Sequence, residues 1–198
     1  MQGDQLRGPK KAELQRRLGI LQYDAGDDAS AFANFEASLM GDPSDADVQT
    51  RFVSLSQQLG RQADAAKLLV RVAAAVKDVN ARARVNLHTG KLFSETGDLK
   101  RARLILQGVR DSSAKAEAEP EIALEAARSL AEIIETAGEA KPLAAVLEAL
   151  VSLTQDDQER LGALRRLSGL YETELKDLAS AIQAQKRILE LDENANPE

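Results

Sequence analysis

The sequence contains no cysteine and no tryptophan, and histidine occurs once, as His88. The absence of cysteine excludes disulfides, thiol chemistry and cysteine-ligated zinc. A single histidine cannot build a multi-histidine metal site within the chain. No nucleophile motif surrounds it, so a Ser-His-Asp arrangement is not expected either. We therefore expect neither an enzyme nor a bound cofactor.

Aromatic side chains and long apolar runs are also scarce. Aromatic residues make up only 3% of the chain, and no apolar run approaches the roughly 18 residues of a membrane span. With a net charge of −6 and few rings to stack on bases, we expect no nucleic-acid partner. The first residues lack the apolar core of a secretory signal. These absences argue against direct membrane insertion and favour a cytoplasmic location.

What the sequence does contain is alanine, leucine and an uneven distribution of charge. Residues 61–110 hold eleven Lys and Arg against four Asp and Glu, a local charge of +7, whereas residues 1–60 carry −3 and residues 111–198 carry −10. A basic middle between acidic ends can attract acidic partners or another copy of the chain, although such a pattern is also typical of a solvated surface. The richness in Ala, Arg and Leu indicates a bacterial source.

A repeated pattern runs along the chain. Four glycines each follow one helical stretch and precede another, at separations of 34, 37 and 41 residues. An apolar residue stands nine positions after each of them, and a small residue stands five positions after the first three. The glycines are Gly26, Gly60, Gly97 and Gly138, and the small residues are Ala31, Ala65 and Ala102.

The first unit of this pattern carries a Leu-Gly pair, a Gly-Asp hinge, a small residue, an aromatic residue and an Asp-Pro pair. They are Leu18-Gly19, Gly26-Asp27, Ala31, Phe35 and Asp42-Pro43. In kind and spacing these residues resemble the tetratricopeptide repeat, a helix pair of 34 residues. The fifth unit keeps the pattern with a hinge that lacks glycine. The resemblance covers about residues 12–194 and indicates about five degenerate units, part of a longer bacterial array.

The resemblance implies an all-α fold, a right-handed α-solenoid of antiparallel helix pairs. It predicts a flexible leader at residues 1–11, five units at about 12–45, 46–82, 83–123, 124–160 and 161–194, and a tail at 195–198. Extra residues stand around 111–120. Neither end has the polar capping helix of a solenoid, which predicts either a longer array or association of copies through the uncapped ends.

Local signals agree with this helical interpretation. Ser44, with Asp47 three residues later, predicts the start of the first helix of unit two. Leucines at spacings of three and four predict one buried apolar stripe per helix. Such stripes comprise Leu14, Leu18 and Leu21 near the start, and Leu161, Leu164, Leu167 and Leu170 in unit five.

In tetratricopeptide arrays the first helix of each unit lines a concave groove. By resemblance, the groove-facing positions of this chain are mostly cationic: Arg16, Arg17, Arg51, Arg84, His88, Lys91, Arg128, Arg165 and Arg166. One hypothesis is a cationic ribbon that binds an acidic or C-terminal-carboxylate segment. The alternative is that these cations serve their own helices through pairs four residues apart, namely Glu13/Arg17, Asp47/Arg51, Lys91/Glu95 and Arg128/Glu132.

The function expected from these observations is that of a non-catalytic protein–protein interaction module, which scaffolds a complex by binding a peptide or partner segment in its groove. The alternative is a structural spacer or a self-assembling segment of a larger repeat protein.

Overall fold

The computed structural model describes residues 8–114 and 119–195, and within these ranges the chain forms ten helices and no strand. The helices are α1 (Pro9–Asp24), α2 (Asp28–Gly41), α3 (Ala46–Gln58), α4 (Gln62–Ala75), α5 (Val79–Glu95), α6 (Leu99–Ala114), α7 (Pro120–Thr136), α8 (Ala140–Leu153), α9 (Asp157–Thr173) and α10 (Leu178–Ala195). Most of the predicted leader (residues 1–7) and tail (196–198), and part of the insertion (115–118), lie outside the described residues.

The chain divides into two compact units, Met1–Ile105 and Leu106–Glu198, with the boundary inside α6. In the first unit each helix from α1 to α4 packs on the next one along the chain. In addition α3 contacts α5, and α2 contacts α4. The first helices of successive repeats (α1, α3, α5) therefore form one layer of this unit, and the second helices (α2, α4) form the other.

The predicted hinges between the two helices of each repeat are present. Gly26, Gly60, Gly97 and Gly138 all have φ between 66° and 81°, the left-handed conformation in which glycine is favoured. At the first hinge the N–H of Asp27 donates to the carbonyl of Gln22 at 2.8 Å, which closes the end of α1. The glycine-free fifth hinge places Lys176 in the same region, with φ 55°.

The tight contact inside the first repeat depends on a missing side chain. A Cβ atom on Gly19 would lie 2.7 Å from the ring of Phe35, which is fully buried. The small residues Ala31, Ala65 and Ala102 are also fully buried. Small residues therefore stand where the second helix of a repeat packs closely, as the sequence pattern predicted.

Aromatic side chains join the first repeat to the second. Phe32 of α2 and Phe52 of α3 stack with their ring centroids 4.5 Å apart, and both are buried. The guanidinium of Arg61 lies over the ring of Phe32, at 4.1 Å from its centroid. This cluster belongs to the apolar core of the first unit.

The second unit contains α7 to α10 and the end of α6. Here α7 packs on α8, α8 on α9, and α9 on α10. Arg187 of α10 forms an ion pair with Glu148 of α8 at 2.8 Å, so these two second helices are neighbours as well. The core is mainly aliphatic, with fully buried side chains that include Leu130, Ile134, Leu147 and Leu164.

The start of α3 differs by one residue from the sequence prediction. Asp45, not Ser44, is the N-cap, and its carboxylate accepts a hydrogen bond from the N–H of Val48 at 3.0 Å. Ser44 lies in the preceding turn, where its N–H donates to the carboxylate of Asp42. Asp and Ser are comparable N-caps, so residue type does not decide between them. Asp45 takes the role because the turn places its carboxylate next to the free N–H of Val48.

The leucine stripe predicted for α1 is not buried, in contrast to that of α9. All four predicted leucines of α9 are buried, whereas Leu14, Leu18 and Leu21 expose 49%, 47% and 66% of their surface. α1 packs on α2 through another face, which includes the buried Gly19. Within the described residues no helix precedes α1 to cover the leucines.

Candidate functional site

All nine predicted groove residues lie on first helices. Six belong to the first unit, on α1, α3 and α5, and three belong to the second unit, on α7 and α9. Their assignment to a binding groove remains a prediction. What the structure describes is how each side chain is held.

Arg16 connects two repeats of the first unit. Its guanidinium lies 3.1 Å from the carboxylate of Asp45 and 3.4 Å from that of Asp47, both at the start of α3, and 3.9 Å from Glu13 on its own helix. With 32% of its side chain exposed, Arg16 is only partly open to solvent. The structure thus gives Arg16 a role between α1 and α3 that the sequence had not indicated.

Two of the four ion pairs that the alternative hypothesis predicted are formed in the first unit. The Nε of Arg17 donates to Glu13 at 2.7 Å, and the Nε of Arg51 donates to Asp47 at 3.1 Å. Glu95, the expected partner of Lys91, accepts a hydrogen bond from Gln57 at 2.7 Å, which links α5 to α3. Two of the predicted groove cations of the first unit are therefore paired with an acidic residue of their own helix.

The predicted pair Arg128/Glu132 is replaced by a pair between repeats of the second unit. The Nε and Nη2 of Arg128 donate to the two oxygens of Glu159 on α9, at 2.7 and 2.8 Å, and its Nη1 donates to Glu125. The planar guanidinium matches the two carboxylate oxygens in a fork, which a single contact to Glu132 would not provide. These hydrogen bonds raise the pKa of Arg128.

The same contact lowers the pKa of Glu159. The hydrogen bond from Arg128 is the main cause, and a hydrogen bond from the hydroxyl of Thr154 adds to it, while burial acts in the opposite direction. A second pair, Arg166 with Glu135 at 2.8 Å, also joins α9 to α7. The first helices α7 and α9 are therefore held together by two ion pairs, and each helix supplies the arginine of one pair and the glutamate of the other.

Glu159→Gln is expected to lower the stability of the second unit at neutral pH, by on the order of 1 kcal/mol because the pair is partly exposed. A carboxylate with a lower pKa in the folded state contributes stability above its unfolded pKa, and this contribution is lost as the pH falls through the folded pKa. The difference between wild type and variant should therefore shrink in acid, below the ordinary value of 4.5. Thermal unfolding across a pH series measures it.

The matched control for this prediction is Glu132→Gln, which removes an exposed carboxylate of α7 that is not paired with Arg128. It should leave stability nearly unchanged at every pH. An equal loss in both variants, or a Glu159→Gln difference that does not change in acid, would contradict the assignment.

The other predicted groove residues have different environments. His88 is half-buried in α5, and desolvation, followed by the nearby charge of Lys91, lowers its pKa below 6.5. The imidazole is therefore neutral at pH 7 and adds no charge to this face. Arg84 is also half-buried. Arg165 is exposed on α9, and no side chain or carbonyl of the described residues pairs with it.

A cleft of about 290 Å³ lies beside Arg165 in the second unit. Leu143, Leu147 and Leu170 contribute its apolar lining, and Arg165 and Arg166 reach it together with Glu135 and Glu174. Arg166 is paired with Glu135, whereas none of the described residues pairs with the guanidinium of Arg165. A carboxylate that approaches Arg165 would meet donors that the described residues do not use.

Sequence reasoning missed a second concave surface, in the first unit. A cavity of about 410 Å³ is lined by Val70, Phe93, Leu104 and Ile105, with Lys67 and Arg101 at its edge. Val70 and Leu104 expose 45% and 71% of their surface. Both residues stand on second helices, Val70 on α4 and Leu104 on α6. The apolar pattern of the sequence does not separate them from the buried residues beside them.

The described residues contain no group of three or more His, Asp or Glu side chains that could hold a metal ion. None of the helices in the described ranges has both the length and the apolar character needed to cross a membrane.

Comparison with known proteins places this geometry in a structural class. No family model matches the sequence, and no curated protein matches it. A crystal structure of the MamA protein superposes with a TM-score of 0.63 at 16% identity, over 96% of this chain and 96% of that one. A putative kinesin light chain of Podosopora anserina, described as having nearly identical TPR-like repeats, gives 0.59 at 15% identity, over 98% and 100%. PilF of Pseudomonas aeruginosa gives 0.56 at 16% identity, over 91% of this chain and 76% of its own.

At these identities the likeness shows the fold alone. The chain has the fold of the tetratricopeptide-repeat proteins, and the predicted fold class, an all-α solenoid of helix pairs, is confirmed. The bacterial source, the boundaries of the repeats and the groove residues remain predictions.

Proposed function

We propose that this chain, which has the fold of a tetratricopeptide-repeat array, is a non-catalytic protein-interaction module that scaffolds a complex by binding an acidic segment of a partner protein on its first helices. The observation that carries the proposal is the exposed guanidinium of Arg165, which none of the described residues engages. Arg is the side chain best suited to bind carboxylates through two parallel hydrogen bonds.

Two arginines on the first helices of the first unit also have donors available. The hydrogen bonds of Arg17 and Arg51 use Nε alone, so their terminal nitrogens can donate to a second carboxylate. Their side chains are 69% and 36% exposed. Arg16 and Arg128, by contrast, are engaged between helices, and a partner would have to compete with those pairs.

The test is a selection from a randomised peptide library displayed on beads, which can be carried out before the partner has been identified. The wild type is compared with the triple variant Arg17→Gln, Arg51→Gln, Arg165→Gln. We expect the wild type to enrich peptides rich in Glu and Asp, and the variant to bind a selected peptide at least about tenfold more weakly, the effect of losing one charge-assisted hydrogen bond.

The matched control removes the same number of charges from other places: Lys77→Gln, Lys141→Gln, Lys186→Gln. These lysines are exposed and lie in a loop or on second helices. Circular dichroism establishes that both variants fold. Equal loss of binding in the control, or selected peptides that are not acidic, would contradict the proposal.

A second candidate is a structural spacer within a larger repeat protein. The observation that favours it is the use of Arg16, Arg128 and Arg166 in ion pairs between neighbouring first helices. If the library yields no peptide for the wild type, the spacer becomes the better description.

A further inference from the structure

The exposed leucines of α1 stand at positions that are buried in every other first helix. Counted from the starts of the predicted units, Leu14, Leu18 and Leu21 are the third, seventh and tenth residues. The twelve equivalent residues in α3, α5, α7 and α9 are all buried, none exposing more than 8% of its surface. They are Val48, Phe52 and Leu55; Val85, Thr89 and Leu92; Ala126, Leu130 and Ile133; and Ala163, Leu167 and Leu170. We call Leu14, Leu18 and Leu21 the α1 face.

Three of these four first helices pack on the second helix of the preceding repeat. α3 packs on α2, α5 on α4, and α9 on α8. The stacking of Phe52 on Phe32 is one such contact. The α1 face is therefore shaped to receive a second helix of the same kind.

The last helix shows the complementary situation. Ile182 and Leu189 of α10 stand one and eight positions after the small residue Ala181, and they expose 56% and 60% of their surface. We call these two residues the α10 face. The equivalent residues of α2, α4 and α8 are buried, none exposing more than 6%, whereas those of α6, Arg103 and Arg110, are half-buried cations. The buried residues are Phe32 and Leu39, Ala66 and Ala73, and Ala144 and Val151.

In the first repeat it is the following first helix that covers this position, since Phe32 meets Phe52 of α3. The α10 face is thus a second-helix surface without the first helix that covers its counterparts. Together the two faces have the two halves of a contact that the chain already makes internally.

We propose that the α1 face of one copy of this chain packs on the α10 face of a second copy, as α3 packs on α2. In that arrangement the two helices run antiparallel, and the start of α1 meets the end of α10. Lys10 and Lys11 are exposed at the start of α1, and Asp192 is exposed near the end of α10. The charges that meet are opposite, which favours this orientation.

The contact joins two different surfaces, so a pair of bound copies still has one α1 face and one α10 face available. Such heterologous association continues until a ring closes or an open filament forms. It uses positions of α1 other than Arg17 and does not depend on the peptide-binding proposal. A failure of either proposal leaves the other standing.

The test uses the whole chain in sedimentation velocity over a range of concentrations. The wild type is expected to form species larger than a dimer as its concentration rises. An α1-face variant (Leu14→Gln, Leu18→Gln, Leu21→Gln) and an α10-face variant (Ile182→Gln, Leu189→Gln) each lose one half of the contact. Association of either alone should weaken at least about 30-fold, the effect of losing one strong interface side chain.

Mixing the two variants gives the decisive measurement. The intact α10 face of one variant can still bind the intact α1 face of the other, so the mixture should form a dimer and nothing larger. The control variant Val70→Gln, Leu104→Gln changes two exposed apolar residues elsewhere and should associate like the wild type. All substituted residues are exposed, and circular dichroism establishes that the variants fold.

Three outcomes would overturn the proposal. The first is a wild type that stays monomeric up to about 1 mM, where even weak contacts populate a dimer. In the second, the α10-face variant associates with itself, which would show that two α1 faces pair. In the third, the mixture stays monomeric although the wild type associates. A charge exchange adds a further check: Lys10→Glu with Lys11→Glu should weaken association, and Asp192→Lys in the partner should partly restore it.

Discussion

Phe52→Ala is expected to lower the free energy of unfolding of the first unit by about 3–5 kcal/mol, which is the usual cost of removing a buried aromatic side chain. Phe52 exposes 1% of its surface and stacks on Phe32. The substitution leaves a cavity between the first and second repeats and removes an aromatic contact that contributes beyond area burial. Urea unfolding followed by circular dichroism measures the loss.

The region of the chain that loosens in Phe52→Ala gives a second test, this time of the repeat architecture. In a repeat protein each unit contacts mainly its neighbours, so loss of one contact should loosen the adjacent helices first. Amide hydrogen exchange of α1 and α2 should accelerate, while that of α7 to α10 should change little. Phe52→Leu, which keeps most of the volume, should cost less than about 1.5 kcal/mol. Uniform acceleration across the whole chain would contradict this local interpretation.

Gly19→Leu is expected to destabilise the first unit by about 3 kcal/mol, at the upper end of the cost of overpacking. Already the Cβ atom would lie 2.7 and 2.8 Å from two ring carbons of Phe35. Phe35 is fully buried, so its ring has no open space into which it can turn. The first and second helices of the repeat would have to separate. Thermal unfolding measures the cost.

Gly162→Leu is the matched control, because Gly162 is also helical but has no heavy atom within 4 Å of an added Cβ. Leucine has a higher helix propensity than glycine by roughly 0.5–1 kcal/mol, so this variant should be slightly more stable than the wild type. A Gly19→Leu protein as stable as the wild type would show that the α1–α2 contact is not as tight as described. The second substitution Phe35→Leu, made together with Gly19→Leu, should recover part of the loss.

These two predictions and the proposed association of copies concern two kinds of contact that recur along the chain. Phe52 reports on the contact between a first helix and the preceding second helix, and Gly19 reports on the contact inside a repeat. Within the described residues, no preceding second helix makes the first kind of contact with the α1 face. If Phe52→Ala proves strongly destabilising, burial of the α1 face under a second helix should be correspondingly stabilising.

The ion pairs of the first helices connect stability to function. Arg128 and Arg166 form ion pairs that hold α7 and α9 together. Arg165, on the same helix as Arg166, forms no ion pair with the described residues. If peptide binding depends on Arg165 but not on Arg166, then of these two adjacent arginines one serves recognition and the other serves stability.

The sequence by itself determined the local features of this protein. The hinge glycines Gly26, Gly60, Gly97 and Gly138 adopt the left-handed conformation that their spacing predicted, because a helix end of this type requires it within a few residues. The small residues Ala31 and Ala65 are buried at the predicted helix contacts for a similar reason. Both features are set by residues close together along the chain, so a periodic pattern in the sequence is enough to predict them.

Only the tertiary structure decided which partner each charged group has and which apolar faces are covered. Arg128 has a potential partner four residues away, but it binds Glu159, which is 31 residues away along the chain. The leucines of α1 and those of α9 both recur at spacings of three or four residues, yet those of α9 are buried and those of α1 are exposed. Spacing along a helix fixes the direction of a side chain, but burial and ion pairing depend on what a neighbouring helix brings within a few ångströms of it.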